Sequence, residues 1–278
     1  MTRIAFLALL LSMSCVAGAR ELRVCADPNN LPFSNQQREG FENAIVELLA
    51  RDLGATVEYV WWAQRRGALR NTLHAGKCDV VPGIASSMEM LATTRPYYRG
   101  TYMFVARHGT PWSRVATFDD PQLREATIGV QLVGDDGANT PPAHSLARRG
   151  MVGNVRGFTV YGDYARPDPQ AAIVDAVADG RVDIAVVWGP TAGYYAARHG
   201  DALQLVPVQP WLDGPLWPMT FDISLGVRRD DRELRRELDR ALERNAAGIA
   251  AILERFHVRN VETTDTAAHA TAPNVPTP

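Results

Sequence analysis

The stretch that decides the fold is Leu22–Phe33, which reads Leu-Arg-Val-Cys-Ala-Asp-Pro-Asn-Asn-Leu-Pro-Phe. Residues 22–26 form a short, mostly apolar run of strand length. The next four residues, Asp27-Pro28-Asn29-Asn30, end the strand, because proline has no backbone donor and Asx side chains favour turns. Apolar residues at helical spacing follow in Glu42–Leu53, and Thr56–Trp61 is rich in β-formers. This order predicts a right-handed β-α-β unit with parallel strands.

Ligands of parallel sheets bind at the carboxyl ends of the strands, so the loop after the first strand is a candidate binding segment. A third strand is predicted at Cys78–Ile84, and the same alternation of strands and helices returns between Ala126 and Val187. Two such units in one chain predict two similar lobes. The extended stretches Thr101–Arg107 and Phe221–Arg228 would join them into a hinged clamp with a cleft between the lobes.

The fold class that we predict is therefore α/β, with two lobes that each consist of a parallel-rich sheet flanked by helices and that are joined by two hinge strands. The predicted limits are residues 20–104 and 223–261 for lobe 1 and residues 105–222 for lobe 2. Residues 262–278 are rich in Thr, Ala and Pro without apolar periodicity, which predicts a disordered tail.

Residues 1–19 have the three parts of a signal peptide: Arg3, an apolar segment from Ile4 to Leu11, and the small residues Ala17-Gly18-Ala19. Cys15 leaves a lipoprotein open as an alternative, although Ser12 occupies the position where a lipobox usually has leucine. No later apolar run is long enough for a membrane span, so we expect an exported protein without one. The net charge of −2 gives no indication of a nucleic-acid partner.

Two cysteines, Cys25 and Cys78, remain after removal of the signal peptide. They belong to the first and third strands of one unit, which are candidates for neighbours in the sheet. An oxidising compartment and an even cysteine count favour a disulfide between them. The alternative is a pair of buried free thiols.

Catalytic motifs are missing from the sequence. It contains no Gly-x-Ser-x-Gly, no His-Glu-x-x-His, no Cys-x-x-Cys and no Gly-rich phosphate loop that opens a helix. We therefore expect no catalytic residue, no metal site and no cofactor, and we expect that the protein is not an enzyme.

Several runs along the chain carry a resemblance to a known family. They are Leu22–Phe33, Gly40-Phe41-Glu42, Gly76–Gly83, Pro96-Tyr97-Tyr98, Gly180-Arg181-Val182-Asp183 and Ile223–Arg228. The chain resembles type 2 periplasmic solute-binding proteins from Glu21 to Phe256, in particular the branch related to amino-acid-binding proteins. The resemblance implies a periplasmic protein that closes two lobes around a ligand.

Four longer runs narrow the resemblance. They are Cys25–Asn35, Trp61–Gly67, Pro96–Tyr102 and Val133–His144. In these runs the chain is similar to solute-binding-like accessory proteins of periplasmic methanol or alcohol dehydrogenases that use pyrroloquinoline quinone (PQQ). The resemblance implies such a dehydrogenase as the partner, and one role that it suggests is the binding and maturation of the apo-dehydrogenase.

Amino-acid-binding relatives hold the ligand carboxylate with an arginine and its ammonium group with an aspartate. By resemblance these positions fall on Met90 and Trp188. Each charge-assisted contact is worth roughly 1.5–3 kcal/mol, so both losses together lower the affinity by about 10²–10⁴. Ordinary amino acids are therefore disfavoured as ligands, with Arg95 or Arg65 left open as a displaced carboxylate anchor.

The remaining cleft candidates are polar or aromatic, which fits a small polar ligand. They are Asp27, Asn29, Asn30, Phe33, Gln64, Ser86, Ser87, Asp135, Asp136 and Trp188. Asp135 and Asp136 precede a predicted helix, so helix capping is an equal alternative for them. Trp188 is either a lid over the ligand or a plug that fills the pocket, and we favour the plug.

Trp62, Arg65 and Arg66 are the candidates for a partner interface, because tryptophan and arginine dominate protein interface hot spots. Strand alternation turns Trp62 away from Trp61, for which we expect a core position. We therefore expect an accessory protein of a PQQ-dependent dehydrogenase system. The alternative is the receptor of an importer for a small polar molecule, and a weaker one is a lytic or hydrolytic enzyme on this fold.

Overall fold

The structure is a computed structural model and describes residues 20–133, 139–161 and 163–261. The predicted signal peptide (residues 1–19), the predicted tail (residues 262–278) and the candidates Asp135 and Asp136 lie outside the described residues. Within the described part, no helix is long and apolar enough to cross a membrane.

The described residues form strands and helices in alternation. The strands are β1 (Arg20–Ala26), β2 (Asn29–Asn30), β3 (Ser34–Asn35), β4 (Ala55–Trp61), β5 (Val80–Ala85), β6 (Ala92–Thr93), β7 (Tyr98–Arg107), β8 (Ile128–Leu132), β9 (Val155–Thr159), β10 (Ile184–Trp188), β11 (Leu203–Pro207), β12 (Leu212–Asp213), β13 (Trp217–Pro218) and β14 (Thr220–Val227). The α-helices are α1 (Phe41–Asp52), α2 (Ala68–Asn71), α3 (Pro141–Arg148), α4 (Ala172–Ala178), α5 (Gly189–Ala196), α6 (Arg232–Arg244) and α7 (Ala246–Arg255).

The main sheet has the strand order β4-β1-β5-β14-β7-β10-β8-β9, with β6 beside β14 and β11 beside β7. In one half, β1 pairs in parallel with β4 and β5. In the other half, β8 pairs in parallel with β9 and β10. The two predicted parallel units are therefore present, and the antiparallel strands β7 and β14 lie between them.

The strand β7 changes partners along its length. Its first part, Tyr98–Thr101, pairs with Thr220–Ile223 of β14, and its second part pairs with β10 and β11. The rest of β14 pairs with β5 and β6. The sequence also predicts that Phe221–Arg228 runs back along Thr101–Arg107, and this is wrong in register, because the two strands pair only over Tyr98–Thr101 and Thr220–Ile223.

Each half of the sheet has its own apolar core. Helices α1, α6 and α7 cover the half that contains β1, while the second half has cores on both faces. Trp188 and Phe221 pack against the first of these cores and also against one core of the second half. These two rings therefore lie at the junction of the lobes.

Cys25 and Cys78 form a disulfide with a Cα–Cα distance of 5.6 Å. Both cysteines are buried and pack with Leu73, Val81 and Ile84 in a small cluster. The predicted disulfide is confirmed, and the alternative of two free thiols is wrong.

Two helices differ from the sequence predictions. The spacing of Leu69, Thr72 and Leu73 predicts a helix over Arg65–Ala75. The structure has only the short α2 there, because Gly67 before it is left-handed (φ 83°) and Thr72 after it leaves helical geometry (φ −123°, ψ −84°). The helix α5 was not predicted, since Gly189, Pro190 and Gly193 are poor helix residues in isolation. Gly193 is required there because a Cβ atom would lie 2.1 Å from the carbonyl oxygen of His257.

Candidate functional site

A cavity of about 360 Å³ lies between the lobes, beside the crossing strands and the end of β10. Its walls are mainly aromatic and aliphatic. The lining residues are Asn30, Phe33, Glu42, Gln64, Gly83, Ala85, Met88, Tyr98, Tyr102, Trp188, Phe221 and Ile223. Within the described part of the chain, this lining contains one carboxylate residue and no arginine, lysine or histidine, so it offers no cationic side chain to an anionic ligand group.

The predicted cleft residues occupy different positions. Asn30, Phe33, Gln64 and Trp188 line the cavity, whereas Asp27 and Asn29 lie at a contact between the lobes that is described below. The hydroxyl of Ser86 is committed to β14, where it contacts the Ser224 hydroxyl at 2.6 Å and donates to the Asp222 carbonyl at 3.0 Å. Ser87 is exposed in a turn.

Trp188 ends β10 and its ring fills the junction of the lobes. It packs edge-on against Tyr102 and Phe221, with centroid distances of 5.2 and 5.9 Å. A Cβ atom at position 100 would lie 2.5 Å from the Trp188 ring, so Gly100 leaves the space that the ring needs. This packing on several sides favours the plug interpretation over a lid.

Glu42 is a site residue that the sequence analysis missed. It lies in the first turn of α1, and only 3% of the residue is exposed. Its position is on the same helix face as Ile45, Val46 and Leu49, since residues three, four and seven apart share one face. This spacing indicates in the sequence that Glu42 faces the core, but an acidic residue in the first turn of a helix is usually explained by the helix dipole.

Burial raises the pKa of Glu42 to about 8, a hydrogen bond from Tyr97 partly offsets this rise, and the charge of Asp27 adds to it. The Oε1 atom has no hydrogen-bond partner among the described residues. A Cβ atom at position 83 would lie 2.5 Å from Oε1, so Gly83 leaves room for the carboxyl group. Glu42 is therefore mainly protonated at neutral pH and has an unused hydrogen-bonding atom.

The loop after β1 contacts the other lobe through polar side chains. Asp27 Oδ2 accepts hydrogen bonds from the Tyr164 hydroxyl and from the Gln64 backbone at 2.8 Å. Asn29 Nδ2 donates to the Arg166 carbonyl at 3.0 Å. We call these contacts, formed by Asp27, Asn29, Tyr164 and the Arg166 carbonyl, the lobe latch.

Two further contacts support the lobe latch. The Tyr195 hydroxyl donates to the Leu31 carbonyl at 2.9 Å, and the Arg65 guanidinium carbon lies 4.8 Å from the centre of the Tyr164 ring. Burial and the hydrogen bond to Asp27 raise the pKa of Tyr164, so its hydroxyl stays protonated and remains a donor. The predicted interface residue Arg65 is thus also part of the contact between the lobes.

A second, exposed cavity of about 300 Å³ lies next to the disulfide and shares Gln64 with the first cavity. Trp62 and Met90 line it and are 38% and 58% exposed, together with the less exposed Leu69. Arg65 and Arg70 also line this cavity. We call this group of five residues the Trp62 face.

The two adjacent tryptophans, Trp61 and Trp62, have different surroundings. Lys77 Nζ lies 4.9 Å from the centre of the Trp62 ring, whereas Trp61 stacks on Tyr59 with a centroid distance of 4.6 Å. Trp61 is half-buried on the edge strand β4, so its predicted core position is wrong. Arg66, the third predicted interface residue, is exposed.

Comparisons with known proteins agree with this architecture. The pattern of the bacterial extracellular solute-binding proteins, family 3, matches residues 22–258. The protein MoxJ of Paracoccus denitrificans is 31% identical over 257 residues, which is 88% of this chain and 91% of that protein. The protein MoxJ of Methylorubrum extorquens is 30% identical over 243 residues, which is 85% of this chain and 80% of that protein.

A solved structure gives the same result. The crystal structure of the periplasmic binding protein XoxJ from Methylobacterium extorquens AM1 is 33% identical, with a TM-score of 0.71, and the match covers 87% of this chain and 99% of that one. The resemblance inferred from the sequence runs and the two-lobed fold class are confirmed. The chain belongs to family 3 of the bacterial extracellular solute-binding proteins.

Proposed function

We propose that this protein is a periplasmic, non-enzymatic accessory protein of a PQQ-dependent methanol or alcohol dehydrogenase, and that it binds the dehydrogenase and assists its maturation. The similarity to MoxJ and XoxJ extends over most of the chain, which supports a shared role. The four sequence runs between Cys25 and His144 resemble dehydrogenase accessory proteins. This resemblance is the reason for proposing a dehydrogenase as the partner.

The observation that carries the proposal is the Trp62 face. Large apolar side chains that are exposed around a cavity mark sites of protein interaction more often than isolated surface residues do. Trp62 and Met90 contribute the apolar part, while Arg65 and Arg70 contribute charged groups at its border. An aromatic ring beside arginine side chains is the composition that is typical of interface hot spots.

The alternative is the receptor of an importer for a small polar molecule, and the cleft cavity argues against an ordinary amino acid as that molecule. An amino acid carries a carboxylate that needs a cationic partner, and no arginine, lysine or histidine is present among the described residues that line the cavity. Met90, at the position of the family arginine, lies on the Trp62 face instead. A buried carboxylate without a partner costs several kcal/mol, so the cavity disfavours an ordinary amino acid.

The experiment that tests the proposal uses two adjacent residues. We expect Trp62→Ala to weaken binding to the purified dehydrogenase by about 2 kcal/mol, or about 30-fold, because it removes the central ring of the Trp62 face. Surface binding measurements give this difference, and thermal melts should show little loss of stability because the ring is partly exposed.

Trp61→Ala is the matched control, since it removes the same side chain one position earlier, outside the Trp62 face. It should lower stability, because Trp61 stacks on Tyr59, and it should leave dehydrogenase binding unchanged. Equal binding of the dehydrogenase by wild type and Trp62→Ala would show that the Trp62 face is not the binding surface.

A further inference from the structure

Glu42 and the cavity around it carry an inference that goes beyond the proposed function and does not depend on it. Glu42 is one of the residues that line the cavity between the lobes, and its buried Oε1 atom has no hydrogen-bond partner among the described residues. A buried acceptor without a donor is unfavourable. A ligand that donates a hydrogen bond to Oε1 would therefore gain a contact that the described side chains do not provide.

The other walls indicate the charge of such a ligand. Five aromatic rings line the same cavity: Phe33, Tyr98, Tyr102, Trp188 and Phe221. The faces of aromatic rings attract cations, most strongly where water is excluded. The negative charge of Asp27 acts on the same region, since it influences the titration of Glu42. These features all favour a positively charged ligand.

We propose that the cavity binds a small organic ammonium ion, a primary or secondary amine without a carboxylate. Its N–H group donates to Glu42 Oε1, and its apolar part contacts the aromatic rings. A zwitterionic amino acid would instead place its carboxylate near Glu42 and Asp27, with no cation among the described lining residues to balance it.

Binding of an ammonium ion couples to the protonation of Glu42. Its pKa is raised to about 8 by burial, so Glu42 must release a proton to pair with the cation at neutral pH. The groups that face it are Tyr97 and Tyr98, whose pKa values burial raises well above the usual range and which therefore stay neutral, and the carboxylate of Asp27. Affinity should then rise as the pH approaches 8 and level off above it.

The test is a calorimetric titration of the purified protein, alone, with three molecules of similar shape. They are phenethylammonium, the neutral 2-phenylethanol and the zwitterion phenylalanine. We expect binding of phenethylammonium only, with about tenfold higher affinity at pH 9 than at pH 7, because one proton is released per ligand. At pH 7 the measured heat should depend on the ionisation enthalpy of the buffer.

Three variants test whether Glu42 and the aromatic rings contact the ammonium ion. Glu42→Gln should lower the affinity for phenethylammonium at least tenfold at pH 9, because it removes a charge-assisted hydrogen bond. Glu47→Gln is the matched control on α1 and should bind normally, since Glu47 does not line the cavity. Phe33→Leu should weaken binding severalfold, because it keeps the apolar contact and removes one aromatic ring.

Three outcomes would overturn the inference. They are no binding of phenethylammonium at millimolar concentration and pH 9, equal binding of 2-phenylethanol, and full affinity in Glu42→Gln. Phenylalanine binding with micromolar affinity would also contradict it and would return the cleft to amino-acid capture. None of these results would affect dehydrogenase binding through the Trp62 face, so the two proposals fail separately.

Discussion

Replacing Cys25 and Cys78 together by alanine is expected to lower the free energy of unfolding by about 4 kcal/mol. The disulfide closes a loop with a sequence separation of 53 residues, and opening it restores conformational freedom to the unfolded chain. It also joins the start of the sheet to the segment before β5, inside the cluster that contains Leu73 and Leu91. Urea unfolding of the double variant and of the oxidised wild type measures the difference.

Reduced wild-type protein is the control for this variant. It should unfold near the midpoint of the double variant, because both lack the same cross-link. In the native, unreduced protein neither cysteine should react with an alkylating reagent. An unchanged midpoint in the double variant would contradict the expected contribution of the disulfide.

The second large effect concerns pH. Burial raises the pKa of Glu42 from its ordinary value of 4.5 to about 8. The free energy of unfolding is highest below the ordinary pKa, where Glu42 is protonated in both states. It falls as the pH rises to the folded pKa, because the carboxyl group ionises more easily in the unfolded chain. Between pH 5 and pH 9 this amounts to about 4 kcal/mol, at 1.36 kcal/mol per pKa unit.

Glu42→Gln removes this titration. We therefore expect that the stability of Glu42→Gln relative to wild type increases by about 4 kcal/mol between pH 5 and pH 9. Urea midpoints measured across this range for both proteins give the comparison. Glu47→Gln should run parallel to the wild type, and parallel curves for Glu42→Gln would show that Glu42 ionises normally in the folded protein.

Much of the fold could be predicted from local patterns. The apolar run before Asp27, the helical spacing in α1 and the β-formers of β4 each agree with the structure, because these segments bury one face against the core. The Asx turn after β1 was also predictable, since the Asn29 backbone donates to Asp27 Oδ1 at 2.9 Å.

Features that depend on tertiary packing could not be predicted in this way. The sequence of α5 is rich in glycine and proline, and the helix lies close against the His257 backbone at Gly193. Tyr164 lies in an irregular segment between β9 and α4, where no periodicity indicates which side chain reaches the other lobe. Its hydrogen bond to Asp27 exists only because the two lobes meet.

The candidate site was predicted in part, for a related reason. Asn30, Phe33, Gln64 and Trp188 follow strands or end them, and the rule for parallel sheets places such residues at the cleft. Ser86 follows the same rule, but its hydroxyl is used by Ser224 and Asp222 of the neighbouring strand. Glu42 enters the cavity from a helix, which this rule does not cover.

In the lobe latch, side chains of one lobe contact the other lobe directly. The Tyr164 hydroxyl, the Asp27 carboxylate and the Asn29 amide join the lobes directly. Such contacts hold the lobes in the arrangement of the structure through the protein itself, and the Arg65 contact with Tyr164 links them to the Trp62 face. This property suits an accessory protein whose partner is another protein.

The central claim is that the partner of this protein is a PQQ-dependent dehydrogenase. The most direct measurement is affinity capture from the periplasm of methanol-grown cells that carry a tagged copy, with mass spectrometry of the captured proteins and of any retained small molecule. The account predicts that the dehydrogenase is enriched with the wild type and with Trp61→Ala and is depleted with Trp62→Ala. Retention of a small metabolite together with the membrane subunits of an importer, and without the dehydrogenase, would contradict it.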